Sequence, residues 1–207
     1  MEKKYLDCSI KKYLDDLAAK LPAPGGGSAS ALVSATGVSC LLMVVNFTIG
    51  KKGYEQYEDE LKQILSHLST LNSQLLTLID EDVKAYSVYS AASKLPKNSG
   101  DEIKFRNQSV QSALKNSLAV VCRIFDLSRD AIKHAGRLSE IGNKNLISDV
   151  ACGLSMLKSG IESSKFNIDI NLKCIDDPET KNMQSAKDEE TRKAIAAIET
   201  IGVKCKA

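Results

Sequence analysis

Residues 21–50 read LPAPGGGSASALVSATGVSCLLMVVNFTIG and contain no charged side chain. From Ala29 to Phe47 the residues are apolar or small on every side of a helical wheel, which predicts a helix that is buried on all its faces. A transmembrane span is the alternative, because the length approaches the roughly 20 residues that a bilayer requires. The scattered polar residues, among them Ser34 and Asn46, and the lack of a second such segment favour a buried helix and no membrane.

A turn rich in proline and glycine, PAPGGGS at residues 22–28, precedes this helix. Proline ends the preceding helix, the three glycines relax the steric limits on the backbone, and Ser28 is predicted to cap the helix that follows. The N–H groups at such a helix start attract anions or polar ring edges. The turn lacks the motifs of phosphate and dinucleotide loops, so a nucleotide site is not expected, and a tight connection between crossing helices is the alternative.

The rest of the chain follows helical spacing. Ser9 is predicted to cap a short helix, whose apolar face comprises Ile10, Tyr13, Leu14, Leu17, Ala18 and Leu21. A heptad pattern starting at Tyr54 predicts one helix of roughly 40 residues that ends near Lys94, before a proline.

The second half of the chain predicts three further helical regions. The first starts at Asp101 and breaks near Asp126, the second starts close to residue 147, and the third ends the chain. Residues 166–175, FNIDINLKCI, alternate as a strand would, but no second strand is visible to pair with them, so we expect a helical or irregular segment. The predicted architecture is an all-α bundle of five to seven helices, forming one domain over residues 1–207.

Composition excludes several classes of protein. The 28 basic and 26 acidic residues give a formal charge of +2, too little for a nucleic-acid surface. The N-terminus lacks the apolar core of a secretory signal, which predicts a cytoplasmic protein. Six widely spaced cysteines without a CxxC pair predict reduced thiols and no zinc site, and His67 and His134 are expected to be structural or surface residues.

Asp82 interrupts the apolar stripe of the long helix. Continuing the heptad spacing from Leu78 places Asp82 at the next core-facing position, while Asp80 and Glu81 project elsewhere. Withdrawal from water raises the pKa of a carboxyl group toward the range useful for proton transfer, so Asp82 is a candidate acid or base. The alternative is a buried carboxylate that caps or hydrogen-bonds a neighbouring helix.

A second polar group, Asn143, Asn145, Ser148 and Asp149, opens an otherwise apolar helix. Helix capping alone explains Asn145. Asp149 is flanked by small side chains, so a pocket lined by this helix would have room for a ligand.

Six short segments, taken in order, resemble the formiminotransferase-cyclodeaminase C-terminal family. They are PGGGS at 24–28, NFTIGKK at 46–52, IDED at 79–82 followed by AY at 85–86, LPK at 95–97, GNKN at 142–145 with SD at 148–149, and NIDINL at 167–172. The resemblance covers nearly the whole chain. This sequence departs from the family pattern at residues 119–122, which lack a usual proline, and at Ser163, where glycine is usual.

The resemblance implies an all-helical homodimer that binds a tetrahydrofolate derivative as its substrate, without a metal or redox cofactor. Members are formiminotetrahydrofolate cyclodeaminases or methenyltetrahydrofolate cyclohydrolases, and a non-catalytic folate-binding or scaffolding relative is the alternative. Asp82 matches the family's aspartate and would move the protons. The residues implied to bind substrate are Gly25, Gly26, Gly27, Ser28, Asn46, Thr48, Asn143, Asn145 and Asp149 at the pterin, and Lys51, Lys97 and Arg106 at the glutamate tail.

Overall fold

The computed structural model describes residues 4–205, and within this range it contains helices and no strands. The helices are α1 (Ile10–Ala18), α2 (Gly26–Asn46), α3 (Glu58–Ser93), α4 (Gly100–Ile141), α5 (Ile147–Cys174), α6 (Pro178–Lys181) and α7 (Met183–Lys204). Short 3-10 turns lie at Tyr5–Asp7, Glu55–Tyr57 and Lys144–Leu146. The predicted all-α fold is confirmed, and residues 166–174 are helical rather than extended.

The apolar helix α2 is the centre of the bundle. It packs against α3, α4 and α5, while α7 covers the outer side of α4 and α5. At the crossing of α2 and α5, a Cβ placed on Gly37 would lie 2.9 Å from the carbonyl oxygen of Gly153. The two backbones are therefore in direct contact, which glycine at these positions permits.

The prediction that α2 is buried on every face is wrong for a single chain. Thr36, Ser39 and Asn46 are exposed, and Phe47, which follows the helix, is 64% exposed. The physical reason is that α3, α4 and α5 surround only part of the helix. Among the residues described, α2 alone is long and apolar enough to cross a membrane, by length and composition only, and 56% of its apolar window is buried inside the protein.

The long helices differ from the predictions in their details. The 36-residue α3 confirms the heptad helix. The break expected near Asp126 is wrong, because α4 is continuous over 42 residues and starts after Ser99, whose Oγ accepts the N–H of Glu102. At the position of the expected break, α4 faces α7, where Lys187 Nζ donates to Asp126 Oδ1 at 2.7 Å.

Helix α1 is capped as predicted but buries only part of its predicted apolar face. Ser9 Oγ accepts the N–H of Lys12 at 3.1 Å. Tyr13 is buried as that face requires, whereas Ile10 is 77% exposed and Leu14 is half-exposed. The buried side of α1 is set by Tyr13, whose hydroxyl reaches Ser28 in α2.

Candidate functional site

A cleft of about 350 Å³ opens at the N-terminal end of α2, between α3, α4 and α5. Its walls combine a glycine turn, two tyrosines, one carboxylate and two amides. The lining residues are Pro22, Ala23, Gly25, Gly26, Gly27, Asp82, Tyr86, Tyr89, Leu114, Ser117, Val121, Asn167, Ile170, Asn171 and Cys174.

Asp82 projects from α3 to the start of α2. Its Oδ2 accepts the N–H of Ser28 at 2.8 Å. Burial raises the pKa of the Asp82 carboxyl above its ordinary value, and the hydrogen bond from Ser28 opposes that rise. The inward orientation predicted from the heptad pattern agrees with this geometry, and the carboxylate both contacts a neighbouring helix and lines the cleft.

Ser28 does not cap α2, contrary to the prediction. The helix begins at Gly26 and Gly25 is the N-cap residue, without a side chain to accept a hydrogen bond. Asp82 supplies from another helix the acceptor that a capping side chain normally provides. The Ser28 hydroxyl instead pairs with Tyr13, whose hydroxyl donates to Ser28 Oγ at 3.1 Å, and burial raises the pKa of Tyr13.

The glycines of the turn are required by neighbouring side chains. A Cβ on Gly27 would lie 2.1 Å from Asp82 Oδ1, and a Cβ on Gly26 would lie 3.3 Å from Asn167 Nδ2. Neither glycine has a positive φ. The absence of a side chain at Gly26 and Gly27 is what lets Asp82 and Asn167 approach the backbone of α2.

Five residues that the sequence assigned to the pterin pocket lie elsewhere in a single chain. Because α2 has 21 residues, its ends are roughly 30 Å apart, and these residues cluster around its C-terminal end. They are Asn46, Thr48, Asn143, Asn145 and Asp149. The cleft at Asp82 and this second polar group are therefore separate within one chain.

The second polar group has contacts of its own. Thr48 Oγ1 donates to Val44 O at 2.6 Å and accepts the N–H of Asn143 at 3.0 Å. Asn143, rather than Asn145, provides the local cap, since its Oδ1 accepts the N–H of Asn145. Thr48 and Asn143 are buried, whereas Asn46 and Asn145 are exposed and Asp149 is half-buried.

The predicted basic residues do not line the cleft. Lys51 is exposed beyond the C-terminal end of α2, and Lys97 is exposed in the connection between α3 and α4. Arg106 donates through Nε and Nη2 to the carbonyl oxygen of Ser93, at 3.2 and 3.1 Å, and so binds the last turn of α3.

Sequence reasoning missed four polar or aromatic residues of the cleft. Tyr86, Tyr89, Asn167 and Asn171 all line it. The available signal was that Tyr86, Asn167 and Asn171 belong to the same short segments that carry the family resemblance. Within residues 4–205, no group of three or more His, Cys, Asp or Glu side chains that could hold a metal ion is found.

Comparison with known proteins agrees with this architecture. The family model described as formiminotransferase-cyclodeaminase matches residues 9–196. The methenyltetrahydrofolate cyclohydrolase of Methylorubrum extorquens is 37% identical over 169 residues, 82% of this chain and 81% of the relative. The formimidoyltransferase-cyclodeaminase of Rattus norvegicus is 28% identical over 95% of this chain, which spans only 35% of that longer protein.

The solved structure of formiminotetrahydrofolate cyclodeaminase from Thermotoga maritima superimposes with a TM-score of 0.81. The two chains are 30% identical, and the match covers 97% of this chain and 94% of the other. The likeness therefore extends over the complete helical arrangement that forms the cleft.

Proposed function

Because the chain belongs to the formiminotransferase-cyclodeaminase family, we propose that it catalyses a reaction at the one-carbon bridge of tetrahydrofolate. The reaction is either hydrolysis of 5,10-methenyltetrahydrofolate or the ammonia-releasing cyclisation of formiminotetrahydrofolate. The observation that carries this proposal is the half-buried Asp82 carboxylate in a cleft that has room for a ligand. Hydrolysis is the first branch to test, since the 37% identical relative is a cyclohydrolase.

Asp82 is suited to the proton transfers of either branch. In hydrolysis, water attacks the methenyl carbon and loses a proton, and a ring C–N bond then breaks. In cyclodeamination, N10 attacks the formimino carbon and loses its proton, and ammonia leaves with the electron pair of the broken C–N bond. One carboxylate can accept the proton in the first step and return it to the departing nitrogen in the second.

The cleft also suits the two rings of a folate. Its volume of about 350 Å³ lies in the usual range for small-molecule sites. Tyr86 and Tyr89, whose ring centroids are 6.1 Å apart, offer aromatic surface next to Asp82. The amino and ring N–H groups of a pterin are hydrogen-bond donors, and the cleft offers acceptors. This chemistry needs no metal or redox cofactor.

We further propose a homodimer, in which the exposed strip of α2 is the contact. A shallow groove on this side has only uncharged lining residues, namely Val33, Ala151, Cys152, Ser155, Met156 and Ser159. If two copies pack α2 against α2 in antiparallel fashion about a twofold axis, the N-terminal end of one helix meets the C-terminal end of the other. The partner's second polar group would then complete the cleft at Asp82.

Thr36 is the position at which we test the dimer, because it is the middle residue of α2 and is exposed. Thr36→Arg places two like charges near the twofold axis and is expected to give a monomer by analytical ultracentrifugation, with loss of turnover. Thr70→Arg is the control, since Thr70 is also an exposed helical threonine that donates to the residue four before it. A monomeric wild type, or a Thr36→Arg protein that stays dimeric and active, contradicts the dimer.

The activity assay separates the branches. The chain is purified without detergent, which also tests the expectation that it is not a membrane protein. It is then mixed with each folate while the methenyl chromophore and free ammonia are recorded. Loss of the chromophore from methenyltetrahydrofolate identifies the cyclohydrolase. Its appearance together with ammonia from formiminotetrahydrofolate identifies the cyclodeaminase. Binding of both folates without turnover would instead identify a non-catalytic folate-binding module.

A further inference from the structure

Two asparagine amides on α5 have fixed orientations at the cleft. Asn167 Nδ2 donates to the carbonyl oxygen of Ser163 at 2.8 Å, and Asn171 Nδ2 donates to that of Asn167 at 2.8 Å. A backbone carbonyl only accepts hydrogen bonds, so the amide nitrogen must lie on that side. Each Oδ1 therefore points away from the backbone of its own helix, and no donor from the described part of the chain reaches either oxygen.

Asn167 and Asp82 reach the glycine turn from two different helices and line the same cleft. A Cβ on Gly26 would be 3.3 Å from Asn167 Nδ2 and 3.6 Å from its Oδ1, and a Cβ on the next residue, Gly27, would be 2.1 Å from Asp82 Oδ1. The amide from α5 and the carboxylate from α3 thus approach consecutive residues of one turn. Among the described residues that line the cleft, Asp82 is charged and none is a lysine or arginine.

In both proposed reactions, the oxygen or nitrogen that attacks or leaves the bridge carbon carries more than one hydrogen. The attacking water has two O–H bonds, and the departing ammonia has three N–H bonds, whereas Asp82 handles one proton at a time. Each remaining hydrogen needs an acceptor, because a hydrogen-bond donor that is withdrawn from water and left unpaired is unfavourable. An amide oxygen meets this need without taking the proton, since it is not basic near neutral pH.

We propose that Asn167 is a positioning residue for the reaction, and this inference rests on the proposed function. Its Oδ1 accepts a hydrogen bond from the water that attacks the methenyl carbon, or from the amino group that leaves as ammonia. Asp82 takes or returns the other proton. No covalent bond to Asn167 forms or breaks, and its effect is to hold the heteroatom in line with the bridge carbon.

Two variants of Asn167 test the proposal with the reaction that the wild type catalyses. Asn167→Leu keeps a similar volume and removes the acceptor, so kcat should fall about 10- to 100-fold while KM changes much less. Asn167→Asp keeps the shape and adds a second carboxylate near Asp82. Because a like charge raises the pKa of a carboxyl group, the acid limb of the kcat/KM profile should move to higher pH.

A fall in kcat with little change in KM is the readout that a purely structural role would not produce, and the shift of the acid limb tests whether residue 167 lies near Asp82. Asn107→Leu, at an exposed position of α4, is the control for a change of the same type and should keep the wild-type profile. The inference is overturned if Asn167→Leu is folded and keeps its kcat, or if only its KM changes. Should Asn167→Leu fail to fold, an Asn167→Asp profile with its acid limb at the wild-type pH overturns it instead. Wild-type inactivity on both folates defeats the proposed function before any variant is made.

Discussion

Replacing Asp82 by asparagine separates the catalytic role of this side chain from its structural role. The amide of Asp82→Asn still offers an oxygen to the N–H of Ser28, which Asp82 Oδ2 accepts at 2.8 Å in the wild type. A helix-capping contact of this kind is worth about 1 kcal/mol, and it is retained. We therefore expect the fold to survive the substitution.

The stability should not fall and should rise slightly at neutral pH. Burial raises the pKa of Asp82 in the folded state above its unfolded value. Between these two values the folded state holds more protons than the unfolded state, so wild-type stability decreases as pH rises through that window and stays lower above it. The neutral amide of Asp82→Asn carries no such cost, and the difference between the two proteins should vanish at acidic pH.

Activity, in contrast, should nearly disappear. A general acid or base contributes about 10²- to 10⁴-fold in rate, which corresponds to roughly 3–5 kcal/mol of barrier. For the same reason, wild-type kcat/KM should rise with pH through a pKa above the ordinary aspartate value, because Asp82 must be ionised to accept a proton.

The assay compares turnover with the free energy of unfolding in urea for three proteins. Wild type and Asp82→Asn are measured beside Glu81→Gln, which changes the next residue and breaks only its surface contact with Arg123 at 3.0 Å. Glu81→Gln should stay active. Turnover of Asp82→Asn within tenfold of wild type would refute the catalytic role, and a loss of several kcal/mol in its stability would refute the structural reasoning.

Two further predictions concern other positions. Gly27→Ala should lose activity and about 1–3 kcal/mol of stability, because its Cβ would lie 2.1 Å from Asp82 Oδ1. The control Gly202→Ala, whose Cβ would have no atom within 4 Å, should gain up to about 1 kcal/mol. Equal unfolding midpoints for the two variants would contradict this prediction. Burial, with smaller contributions from Lys133 and His67, lowers the pKa of His134, so folding stability is lost as pH falls through that value. His134→Gln should therefore lose less thermal stability than wild type between pH 7 and pH 5, and parallel melting curves would show the reasoning to be wrong.

The periodicity of the sequence predicts the helices well, because burying one side of a helix requires apolar residues every three or four positions. The same argument predicted that the Asp82 side chain faces inward. It failed for the α4 break, because the polar side of α4 near Asp126 is paired with charged residues of α7 and does not interrupt the helix. It also gave no partner for His67 and His134, whose ring centroids are 5.6 Å apart across two helices.

The assignment of one pocket to both ends of α2 illustrates a different limit. Short matching segments give the order of residues along the chain, but they do not say which of them share a cleft. Helix length alone rules out a shared pocket in this case. Gly27 and Asn46 are in one uninterrupted helix, so they lie roughly 30 Å apart and cannot contact one small ligand in a single chain.

The start of α2 explains how one carboxylate can be buried and still serve as a base. Burial alone would raise the pKa of Asp82 and favour its protonated form, which cannot accept a proton. The first turn of a helix carries unpaired N–H groups and a partial positive charge, and Asp82 accepts one of these N–H groups directly. The two effects oppose each other, and burial is the larger, so the affinity of the carboxylate for a proton is higher than that of an ordinary aspartate. Because Gly27 has no side chain, Asp82 can reach this position, and the turn that begins the most apolar helix of the bundle therefore also sets the proton affinity of the proposed base.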